Sequence, residues 1–69
     1  MKKEFIMVDL TTGGKAIIRI SLIEDIYDDC DNGVFQKSII TSKADFGNRV
    51  FESNIQTEEI YTMITTEST

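Results

Sequence analysis

Five carboxylates crowd into residues 24–31: Glu24, Asp25, Asp28, Asp29 and Asp31. Side chains of this kind can ligate a cation, share a proton as an acid–base pair, or offer an anionic face to a basic partner. The calcium reading is the most specific. Counted from Asp28, Asn32 takes the fifth position of a calcium loop and Gly33 the sixth. The pattern then breaks. Cys30 stands where the third position needs an oxygen, and Ile39 stands where the twelfth needs a bidentate Glu. No metal site is expected. The two remaining readings are an acidic decoy face and a charged strand edge that discourages edge-to-edge pairing.

Nucleophilic chemistry has little to work with. Cys30 is the single cysteine and the chain has no histidine, so a Cys–His pair cannot form. Gly13-Gly14-Lys15 lacks the flanking spacing of a phosphate-binding loop and reads as a turn. Carboxylate pairs for acid–base work exist, but a sheet this small has little room for a catalytic pocket within one subunit. A pocket between subunits would suit capture of a small ligand better than catalysis. No catalytic residue and no cofactor are expected.

Composition narrows the partners. Twelve acids against seven bases give a net charge of -5. Such a surface repels phosphate backbones and anionic lipid head groups, which disfavours nucleic acid and membrane surfaces as partners. No apolar run is long enough to span a bilayer. MKKEFIMVDL carries Glu4 and Asp9 within its short apolar stretch and is not read as a signal peptide. One cysteine suits a reducing interior, so the cytoplasm is expected. At 69 residues the chain is read as one domain over 1–69, with 1–3 and 65–69 frayed. A domain this short has a thin core and usually gains stability from a disulfide, a metal or another subunit. With one cysteine an intrachain disulfide is excluded, and without histidine a metal is disfavoured, which leaves self-association or a partner.

The elements that must position these groups follow from periodicity. Residues 4–10 alternate, with Ile6, Val8 and Leu10 on one face and Phe5, Met7 and Asp9 on the other. Both faces carry bulk. A Gly-Gly turn leads to a second strand over 15–20, where Ala16, Ile18 and Ile20 oppose Lys15, Ile17 and Arg19. Ser21 and Glu24 match a capping box and predict one helical or 3₁₀ turn at 21–24. A third strand is expected over 25–29. Asn32-Gly33 is the strongest hairpin signal in the chain. A fourth strand follows over 34–41, with Phe35, Lys37, Ile39 and Thr41 sharing a face. Residues 42–48 are expected as a looser turn anchored by Phe46, and 49–52 as a short fifth strand. A helix starts at Ser53, with Gln56 completing a capping box, or at Thr57. Ile60, Met63 and Ile64 form its apolar stripe.

The fold class is therefore α+β: a small curved antiparallel sheet of four to five strands with one C-terminal helix. Tyr27 and Tyr61, with Phe35, Phe46 and Phe51, could make a stacking platform, but the basic groove it needs is missing, so core or interface packing is the better account. Apolar residues on both sheet faces, with one short helix to cover them, imply another chain. Phe35, Phe51, Ile60, Tyr61, Met63 and Ile64 are the expected self-association or partner surface. The acidic residues 24–31 are the alternative surface.

Val8-Asp9-Leu10-Thr11-Thr12-Gly13-Gly14-Lys15, followed by Ile17-Ile18-Arg19-Ile20-Ser21-Leu22-Ile23-Glu24-Asp25-Ile26, resembles the FlbD-like (SwrD-like) small flagellar accessory proteins. Val50-Phe51-Glu52-Ser53, then Glu59, Ile60 and Ile64, is similar to their strand end and closing helix. The resemblance implies a non-enzymatic cytoplasmic accessory protein associated with motility. It carries over no catalytic residue. Residue and resemblance readings meet in one expectation: a small non-enzymatic interaction module that self-associates and acts by binding another protein. The alternative is a small inhibitor or ligand sponge, in the manner of phage-encoded proteins, using the acidic face or an intersubunit pocket.

Overall fold

Alternating apolar residues and three tight turns build two small sheets that share one core. The computed structural model describes residues 3–66. Their order is β1 Phe5–Asp9, β2 Lys15–Arg19, a 3₁₀ turn Ile20–Leu22, β3 Ile23–Asp31, β4 Val34–Ala44, β5 Gly47–Ser53 and α1 Thr57–Thr65. All pairings are antiparallel. The fold is α+β, with antiparallel strands and a C-terminal helix. The strands divide into a two-stranded sheet, β1-β2, and a three-stranded sheet, β3-β4-β5.

The two sheets meet at their ends. Leu10 bridges Ser53, the Thr11 amide donates to the Glu52 carbonyl at 3.0 Å, and the Asn54 amide donates to the Asp9 carbonyl at 3.2 Å. Ser53 is fully buried at this junction. Its hydroxyl donates to the Asp9 carbonyl at 2.7 Å and accepts from the Ile55 amide at 3.1 Å. One side chain thus ties β1, β5 and the approach to α1.

Ile6 and Val8 from β1, Ile18 from β2, Ile40 from β4 and Ile60 from α1 form the buried core. Half-buried Leu10, Ile23, Ile26, Phe51, Met63 and Ile64 pack around them. The helix stripe of Ile60, Met63 and Ile64 faces inward as its spacing predicts.

Turn chemistry explains the hairpins. Asn32 and Gly33 both hold positive φ, at 51° and 79°, which gives the two-residue turn a twist that matches its strands. Residues 42–48 are not a loose turn. Lys43 pairs with Asn48 and Ala44 with Gly47, leaving only Asp45 and Phe46 at the tip. Gly47, at φ 89°, absorbs the reversal. Phe46 does not anchor anything: it sits at the hairpin tip and is 100% exposed.

The strands outrun their expected ends. β3 continues through the acidic residues to Asp31, where pairing with β4 outweighs the poor strand preference of Asp. Two irregularities break the period of two. Glu24 has no partner between the Ile23–Ser42 and Asp25–Thr41 pairs, so Ile23 and Ile26 both face the core. Gln36 has none between Asp29–Lys37 and Cys30–Phe35, so Phe35 moves away from the face of Lys37 and Ile39.

Neither capping box forms. The 3₁₀ turn covers 20–22 and has no side-chain cap. Ser53 lies in β5, and Gln56 is the N-cap of α1 without using its side chain. The cap comes from another element: Asp28 Oδ1 on β3 accepts from the Thr57 amide at 2.8 Å. The C-terminal expectation changes in part. Thr65 remains helical, and the Thr66 amide donates to the Thr62 carbonyl. Residues 1–2 and 67–69, where fraying was expected, lie outside the described residues.

Candidate interaction surfaces

The outward face of the β1–β2 hairpin is the more apolar of two uncovered sheet faces. Strand alternation sends Ile6, Val8 and Ile18 inward, which forces Phe5, Met7 and Ile17 outward. They are 44%, 53% and 70% exposed. The register sets three cross-strand rows on this face: Phe5 with Arg19, Met7 with Ile17, and Asp9 with Lys15. The Arg19 guanidinium lies 4.8 Å from the Phe5 ring centroid. Lys15 Nζ lies 2.7 Å from Asp9 Oδ1. A central apolar row is therefore flanked by a cation–π row and an ion-pair row.

The outward face of the three-stranded sheet is mixed. Tyr27, Ile39 and Glu52 share one row, and Asp25, Thr41 and Val50 the next. Tyr27 and Val50 are more than half exposed. Lys37 pairs with Glu52 at 3.2 Å across this face. Both members are solvated, so the pair contributes about 1 kcal/mol or less.

The six residues expected as an interface separate in the structure. Ile60 is fully buried in the core, and Phe51, Met63 and Ile64 are half-buried against it. These four side chains mainly hold the protomer together. Tyr61 points outward and is 65% exposed. Phe35 is half-buried opposite Cys30 and lies outside the core cluster. A further exposed apolar group, Phe5, Met7 and Ile17, shares one face of the β1–β2 hairpin. Bulk on both faces of residues 4–10 was their only signal, because alternation does not say which face the rest of the chain covers.

The acidic residues line an edge more than a face. All five are exposed on β3. Asp25 and Asp29 belong to the outer rows, opposite Thr41 and Lys37. Asp28 lies on the helix side and is engaged with the Thr57 amide. Glu24 occupies the irregularity and Asp31 the hairpin end. β3 is an outer strand of its sheet, so this charge guards one of its long edges.

Other chemistry is sparse. Cys30 is a free, exposed thiol. Among the described residues no group of three His, Cys, Asp or Glu side chains could hold a metal ion. No helix among them is long and apolar enough to cross a membrane. A shallow groove lies between the 3₁₀ turn and the β4–β5 tip, lined by Leu22, Lys43, Asp45, Phe46 and Arg49. Its walls are solvated, and nothing in it converges on a reacting atom. No protein-family model, curated protein or solved structure matches this chain significantly.

Proposed function

We propose that this protein is a small, non-enzymatic interaction module that self-associates and acts by binding another protein. The observation that carries the reading is the uncovered apolar face of the β1–β2 hairpin. Three large side chains there stay in water although each sits on a regular strand. They offer on the order of 300 Å² of apolar surface, the size of the largest patch on an ordinary monomer, which is often functional. At about 25 cal/mol/Å², covering such a patch on both partners yields about 15 kcal/mol before the costs of association, which take back about 4–15 kcal/mol. The resemblance of residues 8–26 to non-enzymatic flagellar accessory proteins supports the same reading. A free thiol beside a single-cysteine composition supports the cytoplasm as its compartment.

Native mass spectrometry, repeated under denaturing conditions, tests this reading. The expected spectrum shows multiples of the chain mass without added ligand. A strict monomer with no partner captured from its source cytoplasm would overturn it.

The exposed carboxylates along β3 favour a second reading: a small inhibitor or ligand sponge that uses the acidic edge or an intersubunit pocket. Charge-driven binding of that kind weakens steeply with salt, because exposed charges are screened within about 8 Å at physiological ionic strength. Reversing Asp25 and Asp29 to Lys should abolish it, and unchanged binding would remove this reading.

A further inference from the structure

We infer that the outward face of the β1–β2 hairpin is self-complementary, and that a second copy of this chain packs on it about a two-fold axis parallel to the strands. This rests on the self-association proposed above and names its geometry.

The argument lies in the register. Each cross-strand row joins two residues that attract one another: Phe5 with Arg19, Met7 with Ile17, Asp9 with Lys15. A two-fold axis along the strands keeps every row at its height and exchanges the strands, so β1 of one copy covers β2 of the other. Arg19 then lies over the partner copy's Phe5, Ile17 over Met7, and Lys15 over Asp9. No like charges meet. The alternative axis, across the strands, sets Arg19 against Lys15 and is disfavoured. An isologous contact needs this kind of self-complementarity. The geometry also suits sheets packed face to face about 10 Å apart, with strand directions within about 30°.

The charges already pair within one protomer, at 2.7 Å for Lys15 with Asp9 and 4.8 Å for Arg19 with Phe5. Docking extends each pair into a four-membered group and leaves no charge unpartnered under the apolar row. The face is small beside the roughly 800 Å² per partner of a standard interface. The dimer should therefore be reversible and concentration-dependent.

Charge reversal with mixing tests the geometry. In Asp9→Lys, two lysines of one copy face two of the other. In Lys15→Asp, aspartates face aspartates. Each variant alone should dimerise about tenfold more weakly or worse in sedimentation velocity. An equimolar mixture should form a heterodimer, since every reversed charge then meets its opposite. Its sedimentation coefficient should return to that of the wild type and fall again as salt rises. Ile17→Asp should be monomeric with an unchanged circular dichroism spectrum, because Ile17 is 70% exposed. Should the wild type oligomerise while the folded variants behave like it and the mixture gains nothing, the geometry is wrong and the interaction module stands. Should the wild type stay monomeric at every concentration, the geometry and self-association both fall.

Discussion

Ser53 and Ser38 give a paired prediction about what joins the two sheets. They are cross-strand partners on β5 and β4, and both are fully buried. Their hydroxyls differ. Ser53 Oγ donates to the Asp9 carbonyl and accepts from the Ile55 amide, whereas Ser38 Oγ has no partner. In Ser53→Ala the Asp9 carbonyl keeps the Asn54 amide, but the Ile55 amide loses its acceptor. One net hydrogen bond is worth about 1 kcal/mol, and an orphaned buried donor costs about 1–3 kcal/mol. A loss of about 2–3 kcal/mol follows, against a total stability of about 3–10 kcal/mol for a chain of this length. That lowers Tm by roughly 10–20 °C. Ser38→Ala removes a buried hydroxyl that bonds nothing, so its stability should stay within about 0.5 kcal/mol of wild type or rise. Urea and thermal unfolding followed by circular dichroism, at one fixed protein concentration, reads both. Equal losses in the two variants, or a loss confined to Ser38→Ala, would refute the assignment of Ser53 as the tie.

Further perturbations separate the remaining elements. Asp28→Ala removes the cap of α1 and should cost about 1 kcal/mol in urea unfolding, with Asp28→Asn recovering most of it. Ile60→Ala opens a cavity where both sheets and the helix meet, and should cost about 2–5 kcal/mol by the same measurement. Phe46→Ser at the hairpin tip should leave the unfolding midpoint unchanged, since the side chain touches nothing it could lose. Gly33→Ala should lower stability by about 1 kcal/mol or more, because its φ of 79° strains any side chain.

The legible parts of this fold were those fixed by local chemistry. Gly13-Gly14 and Asn32-Gly33 marked their turns because positive φ is costly for other residues. Ile60, Met63 and Ile64 marked the buried helix stripe because their spacing matches a helical period. The illegible parts depended on partners distant in sequence. Strand extension through Cys30 and Asp31 needed the pairing offered by β4, which no local propensity for Asp announces. The unpaired Glu24 and Gln36 shifted side-chain parity, so Ile23 and Ile26 met the core together and Phe35 changed face. Ser53 read as a helix cap because its usual role is local, yet its acceptor is the Asp9 carbonyl, 44 residues earlier. The division between core and surface was not legible for the same reason. Alternation placed Phe5, Met7 and Ile17 on one face, but only the packed chain decided that this face stays open.

Self-association through an uncovered sheet face is the claim on which the functional reading turns. Size-exclusion chromatography with multi-angle light scattering on the wild type and Ile17→Asp, over about 1 µM to 1 mM, measures it most directly. The predicted result is a wild-type mass that climbs from one chain toward two as concentration rises, with Ile17→Asp remaining at one. A wild-type mass of one chain throughout, or an Ile17→Asp curve that follows the wild type, would contradict it.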